Sequence, residues 1–427
     1  MIEELTKEEF NEYAKKHPLN IFFQSSYWGE LKSITGWNHF MVGMKKDGQL
    51  KAATLILGKK IPVFNRYIYY APRGFLIDYN NSNLLKEFTL EIKKFIKKKK
   101  GIFIKINPSL IYQERDINGN IIEGGINNKQ VVEELQKLGF IHTGFTTTYG
   151  KDLEPRWISV LDLEGKTEES LLKDMRSTTR WGINNSYKHG LKLVEIDKSR
   201  LNEFKKLMEH TGERRGFIDR SEAYYEKMYD VFSKDNNIKI MLVELNVDEY
   251  IYNLNNQKQQ NLLKQVEAKN KPDSAKAKRV LKELQAQFES LEKRLETLEK
   301  LKEEKGTNIV IAGGLFMTFG TQVVSLFGAS YKEYMKFNGQ FFLNFKMIKY
   351  ALNHGYKKYN FYGITGEFNE DSEMFGLFDF KRGFNAHVEE LIGEFTMITN
   401  HFFYKVYNMM FEVYKKTKKI KRSKKWE

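Results

Sequence analysis

The chain has 427 residues, of which 41% are hydrophobic and 14% aromatic, so it is long and apolar enough for two or three folded domains and is not a disordered protein. It contains no cysteine, which excludes disulfides, thiolate catalysis and cysteine-ligated metal sites. The formal net charge of +15 favours polyanionic partners such as tRNA, DNA or an anionic membrane, although an AT-rich genome would also enrich lysine.

The first 150 residues indicate a domain that mixes helices and strands. Thr6 is a suitable N-cap for an opening helix, because Glu9 stands where a capping box requires it. Hydrophobic periodicity predicts strands over 39–45, 51–59, 67–71 and 102–106 and helices over 82–97 and 129–137. The opening segment lacks the apolar core of a signal peptide, so we expect a cytoplasmic protein.

Residues 151–245 continue this alternation, and the helical character then increases. The predicted elements are strands over 157–162, 191–196 and 238–245 and helices over 167–176, 199–211 and 221–233. From 246 to 307 the chain is polar, and apolar residues recur at spacings of three and four, namely Leu281, Leu284, Phe288, Leu291, Leu295 and Leu298. This heptad seam, with Pro272 interrupting the region near its centre, predicts an antiparallel two-helix coiled-coil arm.

After Gly306 the strand pattern returns, so the second domain is predicted to be discontinuous. We predict strands over 309–319, 322–328 and 358–362 and helices over 338–353 and 401–414. Glycines interrupt the apolar stretch 309–330, which favours a buried hairpin over a membrane span. The predicted boundaries are 1–150 for the first domain, 151–245 with 308–400 for the second, 246–307 for the arm and 401–427 for a C-terminal helix and basic tail.

The basic tail at 415–425 carries eight basic residues and no acid. Such a cluster is attracted to anionic lipid surfaces by about 1 kcal/mol per charge. We therefore consider peripheral membrane contact through Lys415 to Lys425, with a solubilising tail and an RNA contact as alternatives.

The most informative motif is YNFYGITGEFNEDSEMFGLFDFKRGF, over 359–384. It predicts a strand, a turn-rich loop and a second short segment that carries Phe380, Lys381 and Arg382. A cation at the mouth of an apolar cleft can stabilise negative charge in a transition state. On these residues alone, a solvated Lys-Arg pair on a strand edge is the simpler interpretation.

This motif and several others, in the same order along the chain, resemble the FemABX family. The other segments are QSSYWGELKSITGW (24–37), YAPRGFLIDY (70–79), KINPSLIY (105–112), HTGERRGFIDRSEAYY (210–225) and LFGAS (326–330). Members of this family are tRNA-dependent aminoacyltransferases that build the peptide cross-bridge of Gram-positive peptidoglycan. The resemblance implies an α/β (α+β) fold of two acetyltransferase-like (GNAT-like) domains with an inserted coiled-coil arm.

The resemblance also implies a set of site residues. Lys381, preceded by Phe380, matches the family lysine near the reacting centre, and we assign to it stabilisation of the oxyanion or of the tRNA terminus. The positions that match the acceptor-binding region are Lys32, Trp37, Tyr112, Arg220, Tyr224 and Phe327. At 327 many members have tyrosine, so this chain lacks that hydroxyl. Arg220 and Tyr224 would share a helix face only if the helix begins by Arg220 rather than after Ser221.

A basic segment with interleaved aromatics, RSTTRWGINNSYK (176–188), resembles a family segment rich in Arg and Asn. It suggests a groove for tRNA phosphates, with a solvated helix face as the alternative. The candidate tRNA contacts are Arg176, Arg180, Lys188 and Arg382.

Several common site motifs are absent from the sequence. There is no HExxH pair, GxGxxG or Walker loop and no GxSxG elbow, so we expect neither a metal nor a nucleotide cofactor. The Q/R-x-x-G-x-G/A pattern that holds the CoA pyrophosphate in acetyltransferases is absent too, which argues against CoA as the donor.

The resemblance to the FemABX family implies an enzyme, which we expect to be cytoplasmic and peripheral at the inner face of the membrane. It would move an amino acid from aminoacyl-tRNA to the stem peptide, or to the growing cross-bridge, of a peptidoglycan precursor such as lipid II. A CoA-dependent GNAT acyltransferase and a non-catalytic RNA-binding or coiled-coil scaffold are the alternative functions. Self-association, or association with related Fem-type proteins, completes the predicted partners.

Overall fold

A computed structural model describes residues 1–62, 64–148, 150, 152–272 and 274–423, with side chains described as far as Val413. The strands are β1 (Ile2–Glu4), β2 (Trp37–Lys46), β3 (Gln49–Lys60), β4 (Tyr67–Ala71), β5 (Gly101–Ile106), β6 (Ile111–Glu114), β7 (Phe140–His142), β8 (Trp157–Asp162), β9 (Leu191–Ile196), β10 (Ile238–Asn246), β11 (Asn308–Phe319), β12 (Gln322–Ser330), β13 (Lys358–Ile364), β14 (His387–Leu391) and β15 (Phe395–Ile398). The helices are α1 (Lys7–Lys16), α2 (Ser26–Ser33), α3 (Ser82–Lys98), α4 (Lys129–Lys137), α5 (Glu168–Asp174), α6 (Ser177–Lys188), α7 (Leu201–Arg215), α8 (Glu222–Phe232), α9 (Val247–Lys269), α10 (Ala275–Lys305), α11 (Gly339–Asn353), α12 (Phe375–Arg382) and α13 (His401–Ser423). The mixed α/β class predicted from the sequence is confirmed.

The first compact unit comprises Met1–Gly165, Thr318–Val324 and Gly355–Glu427. It holds a seven-stranded sheet in the order β1-β2-β3-β4-β5-β15-β7, in which β4 and β5 are parallel. Helix α3 buries Leu85, Phe88 and Ile92 at helical spacing against this core. The unit also holds the neighbouring strands β6-β14-β8-β13 of a second sheet.

The second compact unit comprises Lys166–Met317 and Ser325–His354. Its strands β9, β10 and most of β11 pair antiparallel in that order. Helix α11 buries Phe342, Phe345 and Ile348, since its apolar residues recur at intervals of three.

The division between the units differs from the predicted domain boundaries. Residues 355–400 fall with the first 165 residues rather than with 166–245. The reason is that β15 pairs antiparallel with both β5 and β7, and β14 pairs with β8. These ladders tie the C-terminal strands to the N-terminal part of the chain.

A turn at Gly320 joins β11 to β12, as the sequence predicts for a buried hairpin. Gly320 has a φ of +58°, in the left-handed region that favours glycine. A Cβ atom there would lie 2.3 Å from Oδ1 of Asn20, which accepts a hydrogen bond from the Thr321 amide at 3.0 Å. Any side chain at 320 would therefore displace this contact.

Helices α9 and α10 pack against each other over the predicted arm. Lys258 pairs with Glu292 at 2.9 Å, and further along α9 the Gln265 side chain donates to the Leu284 carbonyl at 3.5 Å, which fixes an antiparallel arrangement. Of the predicted seam, Leu291, Leu295 and Leu298 are buried, and the other members are half-buried. The helical hairpin is therefore present, while its behaviour as a coiled-coil arm stays a prediction. Asp273 of the predicted turn lies outside the described residues.

The structure of residues 375–382 differs from one interpretation of the sequence. The segment that carries Lys381 is a helix, α12, rather than a strand edge, and Lys381 is only 7% exposed. The local sequence shows charge but not burial, because the covering atoms come from other segments. The solvated Lys-Arg pair is thus wrong for Lys381.

The C-terminal helix α13 packs one side on the seven-stranded sheet through Phe403, Tyr404 and Tyr407, next to Phe103. Within the described part of the chain, no helix combines the length and the apolar character needed to cross a bilayer.

Candidate functional site

Lys381 is a buried titratable side chain of the first unit. It lies in the last turn of α12, the helix that follows β13 in the chain. Its ammonium nitrogen donates to the carbonyl oxygens of Gly363 at 2.7 Å and Tyr362 at 3.3 Å. Burial lowers the pKa of Lys381 to about 7. A protonated amine has three hydrogens, so one hydrogen remains after these two bonds. Such a group can donate to an oxygen that develops negative charge.

A local irregularity of β13 turns these carbonyls towards Lys381. The pairing of β13 with β8 shifts register between Asn360 and Tyr362, and Tyr362 has a φ of +63°. The Tyr362 amide donates to Oδ1 of Asn360 at 2.8 Å, and the Tyr362 hydroxyl donates to Glu154 at 2.5 Å. The left-handed conformation of a bulky residue is therefore held from both its backbone and its side chain.

Phe380 and Arg382 flank Lys381 on α12 with different surroundings. Phe380 is half-buried and lies edge-on to Phe384, with ring centroids 5.3 Å apart. Arg382 donates to Asp379 at 2.5 Å and to Asn118 at 3.2 Å. Arg382 is thus held in an ion pair on the helix, and a tRNA contact would have to share or break that pair.

Lys32 lies at the end of a row of aromatic rings, whereas Trp37 contacts a different lysine. The Lys32 ammonium is 4.3 Å from the centre of the Trp28 ring, which contacts Phe23 at 4.6 Å. Phe23 in turn stacks on Tyr362 at 6.1 Å. This row links predicted acceptor residue Lys32 to the strand end that holds Lys381. Trp37 begins β2, half-buried, with Lys59 5.5 Å from its ring.

Tyr112 borders a buried cluster of charge in the same unit. Its ring packs on Phe145 at 4.5 Å, and the Arg156 guanidinium lies 5.9 Å from its centre. Arg156 forms a hydrogen-bonded ion pair with Glu390, which also accepts from Arg115 at 2.5 Å. The two oxygens of the Glu390 carboxylate therefore bind two guanidinium groups, buried Arg156 and half-buried Arg115.

The second unit brings together the other predicted acceptor residues. Helix α8 begins after Ser221, so Arg220 precedes it, but the Arg220 guanidinium still lies 5.7 Å from the centre of the Tyr224 ring. Tyr225 contacts both the Tyr224 ring, at 6.3 Å, and the Phe327 ring, at 5.9 Å. Arg220, Tyr224 and Phe327 thus form one cluster, by cation–π and ring contacts rather than by a shared helix face.

The predicted tRNA segment is helix α6, and its basic residues are not equivalent. Arg180 donates to the carbonyls of Lys173, at 3.0 Å, and Met175, so it satisfies the C-terminal carbonyls of α5. Arg176 and Lys188 are exposed, and Trp181 between them is 64% exposed. Arg180 therefore lies against the end of α5, while Arg176, which donates to the Thr178 hydroxyl at 2.9 Å, and Lys188 lie on the exposed surface.

Sequence reasoning missed Tyr362 and Glu154 as parts of the Lys381 site. The sequence pattern places Tyr362 only within a strand, although a Tyr-Gly pair at a strand end is also a signal for a bulge. No local signal marks Glu154, because its partner is 208 residues away in the chain.

The comparisons with known proteins agree with this architecture. Residues 5–412 match the FemAB family. The chain belongs to the FemAB family. Aminoacyltransferase FemA of Staphylococcus aureus strain N315 is 33% identical over 416 residues, which are 96% of this chain and 98% of that protein. The protein of the same name from strain MRSA252 is 32% identical over equal shares. These relatives confirm the family predicted from the sequence motifs.

A solved structure gives the same result for the FemAB fold. A crystal structure of FemX aligns with a TM-score of 0.79 and 28% identity, covering 95% of this chain and 99% of that one. The mixed α/β architecture of this FemAB protein is therefore shared with FemX over almost the whole chain.

Proposed function

We propose that this FemAB protein transfers an amino acid from aminoacyl-tRNA to the stem peptide or growing cross-bridge of a peptidoglycan precursor such as lipid II. The observation that carries the proposal is the similarity to aminoacyltransferase FemA over 96% of the chain. The buried Lys381, with one hydrogen left over, supplies the chemical support.

The proposed reaction needs no covalent enzyme intermediate. The acceptor amine attacks the ester carbonyl carbon of aminoacyl-tRNA, and the carbonyl oxygen becomes an oxyanion. Lys381 donates its remaining hydrogen to this oxyanion. The tetrahedral intermediate collapses with cleavage of the ester C–O bond, the amide forms, and the ribose oxygen leaves with the proton that the amine gives up. Positioning of the two substrates contributes the rest of the acceleration.

The acceptor contacts are proposed for Lys32, Trp37, Tyr112, Arg220, Tyr224 and Phe327. Lys32 and Arg220 carry charges suited to phosphate or carboxylate groups, and each lies over an aromatic ring that limits its motion. For tRNA we propose Arg176, Lys188 and Arg382, with Arg180 holding α6 against α5. A lipid-linked acceptor would also place the enzyme at the inner face of the membrane, with the basic segment 415–425 near anionic lipids.

The test is transfer of labelled amino acids from a charged total tRNA pool to lipid II, with RNase-treated tRNA as control. We expect label on lipid II that disappears after RNase treatment, and the labelled residue names the donor. Parallel reactions with lipid II that already carries one bridge residue, and with the soluble nucleotide precursor, identify the acceptor. Absence of transfer to all three acceptors, or transfer from acyl-CoA instead, would contradict the proposal.

Tyr362→Phe tests whether the β13 irregularity positions Lys381. Loss of the hydroxyl bond to Glu154 should let water reach Lys381 and cost about fivefold to tenfold in kcat, the equivalent of roughly 1 kcal/mol. We also expect the fall of kcat at high pH to begin at a higher pH. The pKa of Lys381 is lowered by burial, so access of water should raise it. KM should change little.

The control for this variant is Tyr69→Phe, which removes another hydroxyl bond of the same unit, from Tyr69 to the Lys99 carbonyl at 3.0 Å. If both variants have the same kcat and the same pH profile, Tyr362 has no special part in positioning Lys381.

A further inference from the structure

Helix α13 presents an apolar stripe to solvent in addition to its packed side. Phe402, Met409 and Val413 are 70%, 66% and 58% exposed, and half-buried Val406 lies between the first two. These residues recur at spacings of four, three and four, so they lie along one line of the helix, about 18 Å long.

The rest of the helix shows that the stripe is distinct from the packed side. Phe403, Tyr404 and Tyr407 contact the sheet core, and the Arg66 guanidinium lies 4.6 Å from the centre of the Phe403 ring. The polar exposed residues of the helix fall on a third line, formed by His401, Lys405, Asn408 and Glu412. A helix that only packs on a sheet needs one apolar side, and α13 has two.

We propose that the outer stripe of α13, formed by Phe402, Val406, Met409 and Val413, inserts into the interface of an anionic lipid bilayer. An apolar helix face beside a lysine-rich segment is the arrangement by which interfacial helices bind such surfaces. This inference adds an apolar docking surface to the basic tail. It rests on the proposed function only in assuming that the acceptor is held in a membrane.

Charge favours a bilayer over a second protein or RNA as the occupant. The stripe leads directly into 415–425, where eight basic residues stand without an acid. An anionic membrane offers both acyl chains for the stripe and headgroups for the tail. RNA offers phosphates but no surface for Met409 and Val413, and a second copy of the chain would bring an equally basic tail to the contact.

The first experiment measures co-sedimentation of the full chain with vesicles that contain no acceptor. Vesicles of phosphatidylcholine alone are compared with vesicles that contain equal amounts of phosphatidylcholine and phosphatidylglycerol, each at low and at high salt. We expect binding to the anionic vesicles, and a loss of about tenfold or more for Phe402→Gln/Met409→Gln because two apolar side chains no longer insert. Since acceptor is absent, this result is independent of whether the transfer reaction is established.

The matched control is Leu263→Gln/Val266→Gln, which removes two apolar side chains that are 66% and 56% exposed on helix α9. It should bind anionic vesicles like the parent protein. Equal vesicle binding by the parent and by Phe402→Gln/Met409→Gln would overturn the proposal. The proposal would also be overturned if light scattering showed that the parent protein is a dimer and Phe402→Gln/Met409→Gln a monomer, while vesicle binding stayed the same.

A second measurement does not depend on the stability of the double variant. Because the chain has no cysteine, Met409→Cys provides a single site for a polarity-sensitive fluorophore. We expect a blue shift on anionic vesicles for this site and none for Asn408→Cys, which is adjacent in sequence but lies on the polar line. Equal spectra at the two sites, or a blue shift caused by tRNA alone, would contradict insertion.

Discussion

Replacement of Lys381 by methionine should lower kcat by about 10²–10³-fold, the usual cost of removing an oxyanion donor. Methionine keeps the volume and the apolar stem of the side chain but has no hydrogen to donate. KM for the acceptor should remain nearly constant, because the proposed role of Lys381 is toward the oxyanion or the tRNA terminus and not toward the acceptor. Steady-state transfer assays with separate titration of the two substrates measure both quantities.

Stability separates a chemical role of Lys381 from a structural one. Methionine removes a buried amine whose protonation is unfavourable, but it also leaves the carbonyls of Tyr362 and Gly363 without their shared donor. The two effects oppose each other, so the melting temperature of Lys381→Met should change by only a few degrees. Turnover close to that of the parent protein would contradict the role of Lys381, and a large fall in melting temperature would indicate a structural role.

The pH dependence of kcat distinguishes a protonated Lys381 that donates a hydrogen bond from a neutral Lys381 that acts as a base. Burial lowers the pKa of Lys381 to about 7, so the protonated, donating form is lost as the pH rises through 7. We expect kcat to fall by up to about tenfold per pH unit above that value. Lys381→Arg should be slower at neutral pH but lack this high-pH limb, since a guanidinium stays charged. A rate that rises through pH 7 would show that the neutral amine acts as a base instead.

The same pKa shift predicts how folding stability depends on pH. The folded pKa of Lys381 lies below its ordinary value, so the unfolded chain binds more protons between the two values, and stability should increase with pH in that window. The contribution is absent in Lys381→Met. Between pH 6.5 and pH 9, the melting temperature of the parent protein should therefore rise relative to that of Lys381→Met.

Replacement of Glu390 by alanine should cost about 3–5 kcal/mol in the free energy of unfolding of the first unit, because it removes one partner of a buried ion pair. Glu390 is 4% exposed on β14 and holds Arg156 and Arg115 with its two oxygens. Without this carboxylate, Arg156 and Arg115 lose the acid that both of them hydrogen-bond, in a region of low dielectric. Urea denaturation of the full chain, followed for the transition that reports the first unit, measures the loss.

Two further variants make this result specific. Glu123→Gln neutralises an exposed carboxylate of the same unit and should change the free energy of unfolding by no more than about 0.5 kcal/mol. Glu390→Leu/Arg156→Met removes one charge of each sign and should recover part of the loss. If Glu390→Ala is as stable as Glu123→Gln, the cluster is solvated and the interpretation of buried compensation is wrong.

Local patterns were sufficient for many of the regular elements. Helix α4, over Lys129–Lys137, and strand β8, over Trp157–Asp162, have the bounds that the sequence predicts, because a helix stripe and a strand run are local properties. The Thr6 cap is also confirmed, with the Glu9 amide donating to its hydroxyl at 3.2 Å. Strands β14 and β15 were missed, since they are short and their partners are distant in sequence.

The ordered motifs along the chain were enough to predict the family and to single out the lysine next to Phe380. The burial of Lys381 against the carbonyls of β13, and the meeting of Arg115, Arg156 and Glu390 across separations of 234 and 275 residues, became evident only from the folded chain. The physical reason is that burial and charge compensation depend on atoms brought in by distant segments. The periodicity of a helix or a strand depends only on its own neighbours.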